Sequence, residues 1–333
     1  MLISGQKGSS TTMSLSIIFI HTGYSDYMEY SLRQAKYTNP DSEIILLGDE
    51  SNDRFDFVTH VNIKDYFTSA SEFAKIYKHC STNPYKYELF CFQRWFALYE
   101  FITKKQIDEV FVCDSDVLVY ADISRILKGN YKNIEFGCLW HYPNKAHNAA
   151  ISFWSKKSLS AFCKNINTLY TESSCLKKIE AKWKKVKESG IPGSFSDMDS
   201  VEDFTNKYSD KMNIINFCET INNSVFDNNV NEPSCFHPNE YKYSFGVKKI
   251  IWKEKIPYCF NIKEKKNIKF NCLHMQGSAK YLISRFYTGK NFKEKSRLDI
   301  KFFFANIAAF WYKTLKIRYR FAFIFNRLHK KIK

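Results

Sequence analysis

No Cys-x-x-Cys pair occurs in the 333-residue chain, which removes zinc ribbons and thioredoxin-type redox sites from consideration. The ten cysteines are scattered, and the closest two are Cys80 and Cys91. Several sit inside apolar runs (Cys91, Cys113, Cys138, Cys272), where a free thiol acts as a small core residue. That usage fits a reducing cytoplasm. No uncharged stretch reaches the roughly 20 residues that a membrane span needs. A secretory signal is also missing: the apolar run Leu15 to Ile20 is too short and lacks a basic flank. No internal repeat is present. No glycine-rich loop follows the first apolar run, only His21-Thr22-Gly23, which argues against a nucleotidyltransferase on a similar sheet. A nucleic-acid-binding motif is equally absent.

What is present is apolar and basic. Hydrophobic residues make up 44% and aromatics 17% of the chain, enough for a large core and too much for a disordered protein. The net charge of +16 favours an anionic partner: a phosphate-bearing substrate, an acidic membrane surface or nucleic acid. Residues 1–13 are rich in Gly, Ser and Thr and read as disordered, with Met13 a candidate start.

The apolar runs then alternate with helical stretches. Leu15–Ile20 predicts a strand, 25–37 a helix stopped by Asn39-Pro40, Glu43–Leu47 a second strand, and 57–63 a third. Such alternation with short turns is the pattern of parallel βαβ units. Tyr85–Thr103 predicts a strongly apolar helix with Arg94 in its middle. Residues 155–188 read as helical throughout, and Ser196 is a candidate N-cap for a further helix. Residues 222–248 read as an elaborate loop region, and Ile268–Leu273 as a final strand.

The chain is organised around Glu-Val-Phe-Val-Cys-Asp-Ser-Asp at 109–116. Val110–Cys113 has the β-branched and aromatic make-up of a buried strand. Two carboxylates one residue apart are costly inside a core strand. At its carboxyl end, where open α/β sheets bind ligands, Asp114 and Asp116 suit a hard divalent cation such as Mn²⁺ or Mg²⁺. A second segment, His274-x-x-Gly277-x-x-Lys280, offers what such a site lacks. A histidine completes a metal site, a glycine permits close backbone approach to a diphosphate, and a lysine supplies a point charge for phosphate oxygens.

On these motifs the chain resembles the GT-A glycosyltransferases, in particular glycosyltransferase family 8 and bacterial lipopolysaccharide and capsule enzymes, over roughly residues 15–285. Asp114-Ser115-Asp116 matches the Asp-x-Asp motif, and His274-x-x-Gly277-x-x-Lys280 the segment whose histidine also binds Mn²⁺. Arg94 is similar to the arginine on the helix before the metal strand. Asn148-Ala149-Ala150 resembles the Asn-x-Gly motif on the acceptor side. Ser196-Asp197-Met198-Asp199 resembles the Asp-Gln-Asp segment beside the transferred sugar. Four positions depart from the pattern: Ala150 replaces the glycine, Met198 the glutamine, and Tyr281-Leu282 a Pro-Trp.

The resemblance implies an α/β GT-A fold with a Rossmann-like mixed sheet, the catalytic domain spanning 14–296. It implies metal-dependent transfer of a sugar, from a nucleotide diphosphate donor such as UDP-sugar, to a hydroxyl of a saccharide or lipid-linked acceptor. Family 8 implies retention of the anomeric configuration. Asp197, Asn148 and Arg94 take catalytic roles in this reading, and Asp114, Asp116 and His274 bind the metal. His21, Thr22, Gly23, Asp49, Arg94, Ser115, Gly277 and Lys280 contact the nucleotide-sugar.

Residues 297–333 form a basic extension in which no Asp or Glu occurs from Lys301 onward. Its aromatics and cations suit a helix lying in the headgroup layer of an anionic membrane. That predicts a cytoplasmic protein held peripherally on the membrane face, with no nucleic acid as partner.

Overall fold

The computed structural model describes residues 15–140 and 147–289. The expectations for 1–13 and 297–333 lie outside these residues. In chain order the elements are β1 (Ser16–Ile20), α1 (Met28–Thr38), β2 (Ile44–Gly48), β3 (Thr59–Asn62), α2 (Thr68–Ile76), α3 (Tyr85–Lys104), β4 (Glu109–Cys113) and β5 (Val117–Val119). Then follow α4 (Ile123–Asn130), β6 (Phe136–Leu139), β7 (Asn148–Ser155), α5 (Lys156–Thr171), α6 (Ser173–Ser189) and α7 (Asp197–Tyr208). The last part holds β8 (Ile214–Asn216), β9 (Ser224–Phe226), β10 (Tyr243–Ser244), β11 (Val247–Lys248), β12 (Ile250–Lys253), β13 (Ile256–Asn261), β14 (Lys266–His274) and α8 (Ile283–Phe286).

Seven strands form the central sheet in the order β3-β2-β1-β4-β7-β6-β8. The β3-β2-β1-β4 half is parallel throughout. Every residue of β1 and β2 is buried, the signature of strands covered on both faces. One face packs on α3 and α5, through Trp95, Trp154, Phe162 and Phe204. At β4 the sheet turns antiparallel, with β7 beside β4 and β6 beside β7, and the edge strand β8 is parallel to β6. This mixed α/β architecture is the predicted fold class; the all-parallel pattern holds only for its first half.

A second sheet runs β12-β13-β14-β5, antiparallel, with β9 added parallel to β14. The sequence reading found only its last strand. Its β12 is mostly exposed and lysine-flanked, Ile-Ile-Trp-Lys, without a clean alternation. The helix expected over 155–188 is two helices, because Glu172 adopts an extended conformation between them. The α2 helix was not anticipated, and only Ala70 and Phe73 of it are buried. Ser196 and Asp199 close a capping box at the start of α7, each side chain serving the other's backbone.

The two sheets join at one point. The chain leaves the central sheet at Cys113 and enters the second at Val117. Asp114, Ser115 and Asp116 make that crossing. A tight turn, with Val117 N–H donating to the Asp114 carbonyl at 3.0 Å, carries it.

Close packing around Gly137 in β6 supports the junction from behind. A Cβ there would lie 2.4 Å from the Phe217 ring, which is itself wedged among Phe111, Tyr131 and Phe226. Gly137→Ala is therefore expected to overpack this core, at a cost of about 1–3 kcal/mol. A thermal melt should show a loss of roughly 3–10 °C; an unchanged melting temperature would mean the ring has room to move.

Candidate metal and diphosphate site

β14 runs antiparallel to β5 with His274 opposite Val117 and Leu273 opposite Leu118. This register brings the end of β14 to the start of β5, so the residue before Val117 meets the residue ending β14. Met275 N–H donates to the Asp116 carbonyl at 2.9 Å, which locks the juncture. Asp116 Oδ1 then lies 3.4 Å from His274 Nε2, and Asp116 Oδ2 lies 3.2 Å from Lys280 Nζ. Donor atoms of Asp114, Asp116 and His274 all lie within 4.8 Å of one another.

These three residues fit a divalent cation. His274 Nδ1 lies 2.7 Å from the Asn228 carbonyl. A carbonyl only accepts, so Nδ1 carries the proton and Nε2 of the neutral ring is left to face the carboxylates. His274 and Asp116 are buried while Asp114 is partly exposed, which leaves the site one open side. Gly277 begins the turn that carries Lys280, at φ +61°. Among the described residues only Asn231 Nδ2, at 3.8 Å, would approach a Cβ there. The glycine is thus required by its left-handed backbone rather than by crowding.

Arg94, on α3, sits between two acids. It donates to Asp114 Oδ1 at 2.7 Å and to Asp197 Oδ2 at 2.9 Å. Trp95 Nε1 donates to the same Asp197 oxygen at 3.1 Å. Glu88, on the same helix, takes its bonds from Ser81 and Asn83 instead. Asp197 opens α7 and is buried, so its carboxylate is held by Arg94 and Trp95 rather than solvated at a helix start.

On the other side, Ser115 Oγ lies 2.9 Å from His21 Nδ1. Gly23 N–H donates to Asp49 Oδ2 at 2.7 Å, at φ +82°. Asn52, which the sequence reading passed over, ties this turn together by donating to the carbonyls of His21 and Gly23. Thr22 is exposed at its tip. Asn148 starts β7, and its Oδ1 accepts from Ala150 N–H at 2.8 Å. The Ala150 carbonyl in turn accepts from Asp114 N–H at 2.7 Å, so Asn148 shapes the strand that supports the first acid.

The charges are mutually adjusted. Burial works against charging His274, but the Asp116 carboxylate outweighs it and lifts the imidazole to about 9. Burial likewise opposes ionisation of Asp116, yet His274 and Lys280 bring its carboxyl down to about 2. Lys280 is raised despite desolvation, chiefly by Asp116. Desolvation lowers His21, favouring the neutral ring against the pull of Asp114 and Asp116.

No family model matches the sequence, and no curated protein matches it significantly. Among solved structures the chain is similar to mouse xyloside xylosyltransferase 1 in its apo form, at TM-score 0.43 and 11% identity, over 61% of this chain and 84% of that one. It is similar to the galactosyltransferase LgtC in complex with donor and acceptor sugar analogues, at TM-score 0.33 and 17% identity, over 56% of this chain and 69% of that one. The glycosyltransferase GlyE of Streptococcus pneumoniae aligns at TM-score 0.32 and 14% identity, over 61% of this chain and 45% of that one. These likenesses are of backbone arrangement only.

The raised His274 makes a pH prediction. In the metal-free protein its charged form stabilises the fold fully below about 6.5, the unfolded value. That contribution fades as pH climbs toward 9. Asp116 contributes above about 4 and is lost toward 2. Metal-free stability should therefore be greatest near pH 4–6.5 and fall by on the order of 2 kcal/mol by pH 9. A divalent cation needs the neutral ring, so its affinity should rise over the same interval. Chemical denaturation across pH, with and without Mn²⁺, checks both. Metal-free stability that is flat from pH 6 to 9 would contradict the coupling.

Proposed function

We propose that the chain is a metal-dependent glycosyltransferase with the GT-A arrangement. It moves a sugar from a nucleotide diphosphate, UDP by resemblance, to a hydroxyl of a saccharide or lipid-linked acceptor. One observation carries this reading: two carboxylates, an imidazole and a lysine converge where the parallel half of the sheet ends, beside a left-handed glycine. That set suits a cation and a diphosphate together, and few other chemistries need it.

Asp114, Asp116 and His274 are the ligands in this reading. Their oxygen and nitrogen donors suit Mn²⁺, with Mg²⁺ as alternative. A bound cation supplies Lewis-acid neutralisation of the charge that builds on the leaving diphosphate. Lys280 now pairs with Asp116; a cation on Asp116 would weaken that pairing and free the ammonium for a phosphate oxygen. Gly277 gives the diphosphate room against the backbone. His21, Thr22, Gly23, Asp49 and Ser115 form the nucleotide side. Arg94 holds Asp114 toward the metal and Asp197 toward the sugar, and Asp197 and Asn148 orient donor and acceptor. A nucleotidyltransferase would lack its glycine-rich loop here, and a nucleic-acid-binding role leaves the buried acids without a use.

Among the described residues no helix is long and apolar enough to cross a membrane. The basic aromatic segment 297–333 is proposed to hold the protein peripherally on an anionic membrane, on the cytoplasmic side. A lipid-linked acceptor fits that location.

Two measurements test the reading. Asp116→Asn should abolish Mn²⁺-dependent release of sugar from a panel of nucleotide sugars while the far-UV spectrum stays unchanged; turnover near the original rate would refute the metal role. The full chain should pellet with anionic vesicles and release at high salt, whereas a chain ending at Ser296 should stay in solution and still act on free donor. If neither chain responds to vesicles, the membrane role is wrong.

A further inference from the structure

Behind His274 lies an ion pair that the proposed chemistry does not use. Lys248, the last residue of β11, and Asp227, just after β9, pair at 2.7 Å with both side chains wholly out of solvent. Burying such a pair brings a desolvation cost that packed apolar side chains avoid, so its presence asks for a reason.

The ammonium has three donors, and all three find acceptors: Asp227 Oδ1 at 2.7 Å, the Asn229 carbonyl at 2.6 Å and the Ser234 carbonyl at 3.2 Å. Lys248 N–H also donates to the Val230 carbonyl at 2.8 Å. Every one of these contacts fixes the segment 227–234. That segment in turn grips His274 at three atoms. Asp227 Oδ2 accepts from His274 N–H at 3.1 Å, the Asn228 carbonyl accepts from Nδ1 at 2.7 Å, and Val230 N–H donates to the His274 carbonyl at 3.0 Å.

We infer that Lys248 is a positioning residue for the metal site: its ammonium, through Asp227 and the 227–230 backbone, sets the tautomer and direction of the His274 imidazole. The inference rests on the metal reading above and adds to it the part that aims the nitrogen ligand. A single carboxylate serves both sides, with Oδ1 on the ammonium and Oδ2 on the His274 amide. Loss of the ammonium would leave the Asp227 charge buried without this cation and would take a donor from the Asn229 and Ser234 carbonyls, and the segment would shift to find water. The imidazole would then lose the fixed acceptor for Nδ1, and the two tautomers would mix.

The test uses the full chain and Mn²⁺ alone as probe, read by calorimetry, with imidazole ¹⁵N shifts of the metal-free protein, taken at a pH alkaline enough to leave the His274 ring neutral, as a second readout. Lys248→Met should weaken Mn²⁺ binding by about 10–100-fold, the range found for groups that orient a metal ligand. It should also bring the His274 nitrogens toward averaged shifts. Leu159→Ala, in the core of α5 on the other side of the central sheet, should lower the melting temperature and leave Mn²⁺ affinity as it was. Asp227→Asn, which keeps the side-chain volume, should weaken binding in the same way and serves if Lys248→Met does not fold. Should both fail to fold, amide exchange in the unaltered protein decides: His274 N–H must exchange only at the rate of global opening. Mn²⁺ affinity within twofold of the original in a folded variant, or rapid local exchange of His274 N–H, would overturn the inference. Absence of Mn²⁺ binding by the unaltered chain would instead overturn the metal reading on which it stands.

Discussion

The antiparallel pairing of β14 with β5 is the constraint on which the rest depends. It sets His274 opposite Val117, and so brings the imidazole against the acid that precedes Val117. A strand alternates faces with each residue, so a slip of one position would send His274 to the opposite side and Leu273 into the site. The register is held by apolar side chains: Leu118, Val119, Cys272 and Leu273 are all fully buried. Hydrophobic burial of a few residues in the second sheet thus determines polar geometry at the carboxyl end of a central strand of the first.

The crossing between sheets explains why the acids are tolerated. Within β4 a carboxylate would face the core; three residues later the chain is in another sheet, and the interval is open on one side. Each acid there has a cation of its own. Arg94 serves Asp114 and Asp197, while Lys280 and His274 serve Asp116. The arrangement is balanced without a metal and becomes overcharged with one. Binding a cation should expel a proton from His274 and loosen Lys280, the group best placed to meet an anionic ligand. Metal and diphosphate would then favour each other's binding through Asp116.

Much of this was legible in the sequence because the signals were local. The runs Leu15–Ile20 and Val110–Cys113 announce buried strands by composition. The acid pair stands out because it interrupts apolar residues, and His274, Gly277 and Lys280 stand out by spacing. What was not legible depended on distant pairing. β12 is mostly exposed and ends on Lys253, and β13 carries Pro257; β13 pairs with β14, and β12 with β13. Trp95 reads as one more aromatic on an apolar helix; its bond to Asp197 spans over a hundred residues. Lys248 sits among many lysines, and nothing in its neighbours distinguishes it as the one that is buried among the described residues. Asn52 sits in the polar run Asp49 to Asp53 with nothing to mark it, yet it braces the turn that holds His21 and Gly23.

The central claim is that Asp114, Asp116 and His274 share one ion that also meets a diphosphate. The most direct test is anomalous diffraction at the manganese edge from crystals of the whole chain grown with Mn²⁺ and UDP. One strong peak is expected within bonding distance of both carboxylates and His274 Nε2, with diphosphate oxygens near it beside Gly277 and Lys280. A peak elsewhere, or UDP bound with no manganese between these residues, would contradict it.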